Sequence, residues 1–284
     1  MVKNVKWIFL FLVLELPVIG WAWSGYGHRI VADIAYWHLT PQVRHEVNDL
    51  TKKMFANKSG LTRFEKAATW PDNLKNQDVN MFNEWHFINL PIVSDGVKPP
   101  PVQQENVAWA TQQMEVTLTS HRATSFQRAI ALAFLVHFVG DAHQPLHCAC
   151  LYSHQFLPPA GDLGGNRYLI RSPLATNLHE FWDQGVGLFP NYSVTKQDVS
   201  TRKLANQFSE QFPAKTLQKQ IQDLNPYHWS WQSHAIAYFA YTIPFDSEPT
   251  NAYIKQAQFE VKRQLILAGL RLANLLNQIL GQYS

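Results

Sequence analysis

From Ala129 to Val136 every residue is apolar, and a segment apolar on all sides reads as a buried helix rather than a surface one. It is too short to span a bilayer. Ser125 begins this helix, and Pro145 is expected to end it, because the residue before a proline is pushed off α geometry. The rest of the chain carries weaker, one-sided patterns. Residues 30–38 repeat apolar positions at helical spacing, and Thr40-Pro41 supplies a cap and a first-turn proline for a second helix. Residues 61–70 read as a third helix ended by Pro71, 105–120 as an amphipathic helix, and 177–184 and 232–242 as shorter ones. A last helix is expected over about 252–280, with Val261, Leu265, Leu272, Leu276 and Ile279 on one stripe. Residues 91–101 hold four prolines and a Ser-Asp-Gly turn, so they form a long loop. Residues 151–166 are rich in Pro and Gly, and a short strand at 167–170 makes this a loop or hairpin directly after His147. With no repeat or linker to divide it, the pattern predicts one mainly α domain: helical, with a short β-hairpin and long loops.

Polar residues inside that apolar pattern change the picture. His137 and Asp141 stand four apart, hence on one helix face, and a buried carboxylate is costly unless paired or bound to a metal. His147 follows just beyond the break. A single histidine on an apolar helix is most often a hydrogen-bonded core residue, and one such pair can be a plain ion pair. The same His-x-x-x-Asp spacing recurs, however, at His179 and Asp183. Trp70-Pro71-Asp72 adds a carboxylate at a helix break, and Trp85-His86-Phe87 sets an imidazole among aromatics. Trp23 precedes His28 by five residues. His143 falls outside the His137/Asp141 register and reads as a supporting residue. His137, Asp141 and His147 read as metal ligands, and the recurrence of the same chemistry at His179, Asp183, Asp72 and His86 strengthens that reading.

Composition narrows the classes. The chain has 284 residues, 46% hydrophobic and 13% aromatic, enough for a large core. A net charge of +3 is too small to argue for nucleic acid or membrane by itself. Twelve histidines against two cysteines favour imidazole ligands over thiolates. Residues 1–22 resemble a secretory signal: Lys3 and Lys6, an apolar run over 7–14, and Gly20-Trp21-Ala22 before the cleavage point. Glu15 is a blemish in or just after the apolar run. Cleavage between Ala22 and Trp23 would leave a secreted or periplasmic domain, residues 23–284, in a compartment that permits disulfides. Cys148 and Cys150 are too close for an unstrained bridge, so their redox state stays open. Asn57-Lys58-Ser59 and Asn191-Tyr192-Ser193 are glycosylation sequons, meaningful in a eukaryotic host.

The segments WSGYGHRIVADIA, TWPDNLK, WHFIN, HFVGDAHQPLH, GDLGGN, NLHEFWD and AGLRLANLLN resemble, in order, the motifs of the three-zinc single-strand nucleases (the S1/P1 type). Their wider superfamily includes the zinc phospholipases C. The resemblance covers the whole chain after residue 22. It implies a helical fold around a trinuclear zinc cleft, with three Zn2+ ions as cofactors. One ion would be held by Asp72, His86, His137 and Asp141, and a second by His147, His179 and Asp183. A third would be held by His28, a bridging Asp141, and the amino nitrogen and carbonyl oxygen of Trp23. Nitrogen and oxygen ligands suit zinc.

The implied activity is hydrolysis of single-stranded DNA and RNA to 5′-phosphate products by zinc-activated water, with a 3′-nucleotidase activity alongside. Asp72 and Lys75 would be catalytic, and Phe87 would stack a base. Asn89 and Asn166 would line the substrate site beside Asp162, which shapes it. Some family members carry aspartates after the segment matching His86-Phe87-Ile88, where this chain has Asn89 and Pro91, so base preference is open. Two other readings compete: a zinc phospholipase C acting on choline phospholipids, and a non-catalytic zinc-binding protein. The mature form is expected to be a monomer that does not insert into membranes.

Overall fold

The computed structural model describes residues 23–55, 63–75, 77–190 and 197–281. The expected signal segment and both sequons lie outside the described residues. In chain order the helices are α1 (Gly25–His38), α2 (Pro41–Met54), α3 (Phe64–Ala67), α4 (Trp70–Lys75), α5 (Val107–Thr119), α6 (Ser125–Asp141) and α7 (Leu178–Asp183). They continue with α8 (Gln197–Gln211), α9 (Gln218–Ile221), α10 (Pro226–Ala240) and α11 (Asn251–Leu280). The fold is mainly α. No helix among the described residues is long and apolar enough to cross a membrane.

Side-chain caps explain many of the starts. Thr40 caps α2 through Val43 N, Asn106 caps α5, Asn177 caps α7 and Thr250 caps α11. Thr124 and Gln127 form a reciprocal capping box on α6, which satisfies backbone donors at both ends of the motif. Every residue of α6 from Ala131 to Asp141 is buried, as its all-apolar sequence requires. It packs against α1, α2, α4, α5 and α11, so any polar group it carries faces protein rather than water. The long α11 lies along α1, and α10 covers the turn that follows α6.

Four expectations are corrected. Pro71 does not end a helix; it is the second residue of α4, while α3 is a separate short helix. A first-turn proline lacks only an N–H that would have no partner there anyway. Asp72 consequently sits in the first turn of α4. Second, α6 stops at Asp141, and Pro145 opens a 3₁₀ turn, Pro145–Cys148, instead of closing the helix. Third, the expected helix at 232–242 starts earlier, at Pro226, where Asn225 caps it.

Fourth, the hairpin after His147 is replaced. Residues 169 and 170 make only isolated bridges, to Asn177 and Ser247. The sheet of the described residues pairs β1 (Pro91–Val93) in parallel with β2 (Cys150–Tyr152), Ile92 opposite Leu151. Parallel strands need a long crossover, and here it contains α5 and α6. The pairing extends beyond the strands, through Ile88 N to His147 O at 2.8 Å and Cys150 N to Leu90 O at 3.0 Å. It therefore lays the 86–90 segment against the turn that bears His147.

Candidate metal centre

Five histidines and three aspartates converge from six elements. They form three buried groups: His28, His137 and Asp141; Asp72, His86 and His137; and His147, His179 and Asp183. Within each group the ligating atoms all lie within 4.8 Å of one another. Asp141 is the hub. Its Oδ1 is 3.4 Å from His28 Nε2 and 3.8 Å from His147 Nδ1, and its Oδ2 is 3.1 Å from His86 Nδ1 and 3.3 Å from His137 Nε2. Asp72 Oδ1 approaches His137 Nε2 to 3.5 Å and His86 Nδ1 to 3.9 Å. The rings of His28 and His137 stack at 3.9 Å. Gly140 permits that approach, since a Cβ there would stand 2.7 Å from His28 Nδ1.

Hydrogen bonds at the far side of each ring decide what the near side can do. Nδ1 of His137 meets Ala68 O at 2.8 Å, Nδ1 of His147 meets His86 O at 2.6 Å, and Nδ1 of His179 meets Gly164 O at 2.6 Å. A carbonyl can only accept, so each Nδ1 carries the proton and each neutral ring turns an Nε2 lone pair inward. His147 and His179 then point lone pairs at each other across 3.2 Å. Two lone pairs at that distance repel unless a cation lies between or beside them. Carbonyl-bound imidazoles of this kind are the usual form of metal-ligating histidine. The donor set is nitrogen and carboxylate oxygen, buried, with three acidic groups to offset added positive charge. It fits divalent metal ions.

The remaining expected residues fall around this cluster. Trp23 is fully buried, its indole Nε1 donating to Gly140 O at 2.9 Å, and the next amide, Ser24 N, donates to Asp183 O at 3.0 Å. Trp23 is thus tied to the end of α6 and to the end of α7, beside two of the carboxylates. Phe87 is half-buried and is not among the side chains packed on the core. Asn89 is half-buried, its amide N–H donating to Gln103 Oε1 at 3.2 Å. Asn166 uses Nδ2 to hold Leu163 O at 2.8 Å, shaping the loop that carries Gly164. The side chain of Lys75 lies outside the described residues.

Several supports had no signature that the sequence reading used. Gln144 is fully buried and donates Nε2 to Asp183 Oδ1 at 2.6 Å, while its own Oε1 accepts from Leu146 N. That leaves Asp183 Oδ2 facing His179 Nε2 at 3.3 Å. Asp162 accepts from Leu151 N at 2.8 Å and from Tyr241 Oη at 2.6 Å. Burial raises the pKa of Asp162, and burial beside that carboxylate raises Tyr241 further above its usual value. Asp162 shapes the loop without belonging to the metal groups. Around it Gly161, Leu163, Gly164 and Gly165 all have φ between 56° and 88°, and a Cβ at Gly164 would meet Leu146 O at 2.5 Å. This loop brings the Gly164 carbonyl to His179. Cys148 and Cys150 are both free and buried. Burial pushes the Cys148 thiol up to about 12, and its Sγ donates to Ala142 O at 3.4 Å, outside the three metal groups.

A mainly helical scaffold here carries adjoining buried His/Asp groups that could hold metal ions. The S1/P1 Nuclease family model matches residues 23–281, and the chain belongs to that family, which makes it a nuclease. It is 26% identical to Endonuclease 3 of Arabidopsis thaliana over 307 residues, covering 96% of this chain and 94% of the relative. It is 25% identical to Nuclease S1 of Aspergillus oryzae over 291 residues, covering 95% and 96%. Endonuclease 4 of Arabidopsis thaliana is 25% identical over 313 residues, covering 96% and 95%.

Proposed function

We propose that this nuclease is a secreted, zinc-dependent endonuclease that cleaves single-stranded DNA and RNA to 5′-phosphate products. The observation that carries the reading is the hub position of Asp141 among adjoining buried His/Asp groups in a chain of this family. Asp72, His86, His137 and Asp141 would hold one zinc, and His147, His179 and Asp183 a second. His28, Asp141 and the freed amine and carbonyl of Trp23 would hold the third. When bound, zinc would neutralise phosphate oxygens and lower the pKa of water toward 7.

The chain's own groups do the rest. Asp72, in the first turn of α4, orients the attacking water and takes its proton. Water oxygen bonds to phosphorus as the bond to the 3′ oxygen breaks, and the leaving oxygen ends as a hydroxyl. Lys75, one turn after Asp72, offsets the charge that builds on the phosphoryl oxygens. The same attack on a terminal 3′-phosphate gives the 3′-nucleotidase activity. Phe87, half-exposed and outside the packed core, offers its ring to one unstacked base, and Asn89 and Asn166 are proposed to line the substrate site. A duplex hides its base faces, so single strands are preferred. Printed names of the relatives are endonuclease and nuclease, which favours nucleic acid over phospholipid as substrate.

Residues 1–22 are proposed to be removed on export, leaving Trp23 as the first residue. The anchoring of Trp23 between Gly140 and Asp183 supports this, as does a family match that starts there. An internal amide nitrogen is a poor zinc ligand, whereas a terminal amine has a pKa near 8 and gives up its proton to a metal. The test compares protein starting at Trp23 with protein retaining Gly20-Trp21-Ala22, each assayed on single-stranded and duplex DNA, RNA and a choline phospholipid, with and without chelator. The form starting at Trp23 should cleave single strands far faster, lose that activity to chelator and spare the lipid. Equal rates for the two forms would remove Trp23 from the site, and equal rates on single strand and duplex would remove the stacking role of Phe87.

A further inference from the structure

Arg271 of α11 is a charged side chain with 0% exposure. Burial lowers its pKa to about 10, which leaves it a cation at neutral pH. Its hydrogen-bond partners are all neutral. Nη1 donates to His143 Nε2 at 2.8 Å, Nε to Gln220 O at 3.1 Å and Nη2 to Gln232 Oε1 at 2.7 Å. The guanidinium also stands 5.6 Å from the centre of the Trp229 ring. The Asp223 carboxylate favours the cation without hydrogen-bonding it, and a buried charge whose hydrogen bonds all go to neutral groups is a poor way to stabilise a fold, since an apolar side chain of similar volume does as well or better. Packing alone does not account for an arginine here.

What it touches does. Guanidinium only donates, so His143 Nε2 must accept and its proton must sit on Nδ1. That Nδ1 donates to Val139 O at 2.7 Å, in the last turn of α6. Arg271 thereby holds one tautomer and one orientation of a ring that follows Asp141 by two residues. Other groups of α10 and α11 grip the same turn: Gln264 Nε2 on His143 O at 3.0 Å, Ser233 Oγ on Ala142 O at 2.7 Å, and His234 Nδ1 on Cys148 O at 3.1 Å. The gripped turn is the link between Asp141, whose oxygens face His28, His86 and His137, and His147 of the group with His179 and Asp183. Gln144, which orients Asp183, is part of it.

We infer that Arg271 is a positioning residue for the metal centre: acting through His143, it fixes the turn from Asp141 to His147 and so the spacing between the metal groups. This rests on the metal reading proposed above. The test is a cobalt(II) titration of protein starting at Trp23, read by the visible absorption of the bound ion and by competition with a chelator. Thermal unfolding of the metal-free protein is measured alongside. Arg271→Met keeps volume while removing charge and donors. It should bind cobalt roughly 10–100-fold more weakly, the range for loss of a support behind a ligand, with an altered absorption band. Gln232→Ala, at an exposed position, removes one acceptor of Arg271 and should shift affinity the same way by a smaller factor. Arg271→Lys keeps a donor for His143 and should recover part of the affinity. A wild-type band and affinity in folded Arg271→Met overturns the inference. If that variant does not fold, the same result in Gln232→Ala overturns it. Wild-type protein that takes up no cobalt would instead refute the metal reading itself.

Discussion

The two His-x-x-x-Asp pairs reach the same geometry by different means. On α6, His137 Nε2 stands 3.3 Å from Asp141 Oδ2; on α7, His179 Nε2 stands 3.3 Å from Asp183 Oδ2. Both histidines turn Nδ1 to a backbone carbonyl, Ala68 O in one case and Gly164 O in the other. The i,i+4 spacing fixes the pair distance whatever the length of the helix. What holds each helix differs. α6 has 17 residues, 12 of them buried, and stays helical because the core surrounds it. α7 has six, too few to be helical alone. Burial of Leu178, Phe181 and Trp182 in the core is joined by named bonds: the Asn177 cap on Glu180 N, Trp182 Nε1 on Tyr253 Oη at 2.9 Å, Gln144 on Asp183 and the Gly164 loop on His179. Both copies face the core, but one sits on a long helix and the other on a short one that loops and single hydrogen bonds must also pin.

The strongest way to break the parallel is at the carboxylates. Asp141→Asn should lower single-strand cleavage by far more than the roughly 100-fold that outer contacts cost, and by more than Asp183→Asn, because in the proposed ligand sets Asp141 is the carboxylate shared by two ions. Steady-state rates on one oligonucleotide check this, and equal losses would make the two copies equivalent. Leu132→Ala, in the buried stretch of α6, should lower unfolding free energy by about 2–5 kcal/mol while the folded protein keeps its metal. Gly164→Ala should do the reverse. Its φ of 63° makes a side chain cost about 1–2 kcal/mol, and the contact with Leu146 O shifts the loop that orients His179. Denaturation curves beside metal titrations distinguish these outcomes. Gln144→Ala frees Asp183 to rotate and should weaken metal binding about 10–100-fold, with about 1–3 kcal/mol of stability lost because the buried Leu146 N–H loses its acceptor. The smallest effect on the metals belongs to Phe87→Ala, which touches neither copy. It should raise KM by the roughly 1–3 kcal/mol of one stacked base and leave metal content intact.

This contrast also marks what could be read from the chain. α6 was legible because an unbroken apolar run admits few interpretations, and its two polar residues then announce themselves. The register of His179 and Asp183 was legible from that template. The supports were not. Ala68 and Gly164 act through carbonyl oxygens, which every residue has. Gln144 and Arg271 act through side chains common on any surface. Pro71 misled because a proline in a first turn and a proline after a last turn look alike in sequence. The parallel pair β1–β2 has three residues a strand, too few to show alternation, and α8 has little beyond Leu204, Ala205 and Phe208 to bury. The signal segment and Lys75 side chain rest on sequence alone.

The central claim is that the buried groups form one polynuclear centre organised by Asp141. Its most direct test is zinc per chain, by elemental analysis after dialysis, for protein starting at Trp23 and for its Asp141→Asn variant. The account predicts three zinc ions in the first. In the variant it predicts loss from both groups that share Asp141, with the His147, His179 and Asp183 group still filled. A variant that folds and retains the full wild-type zinc content would contradict it.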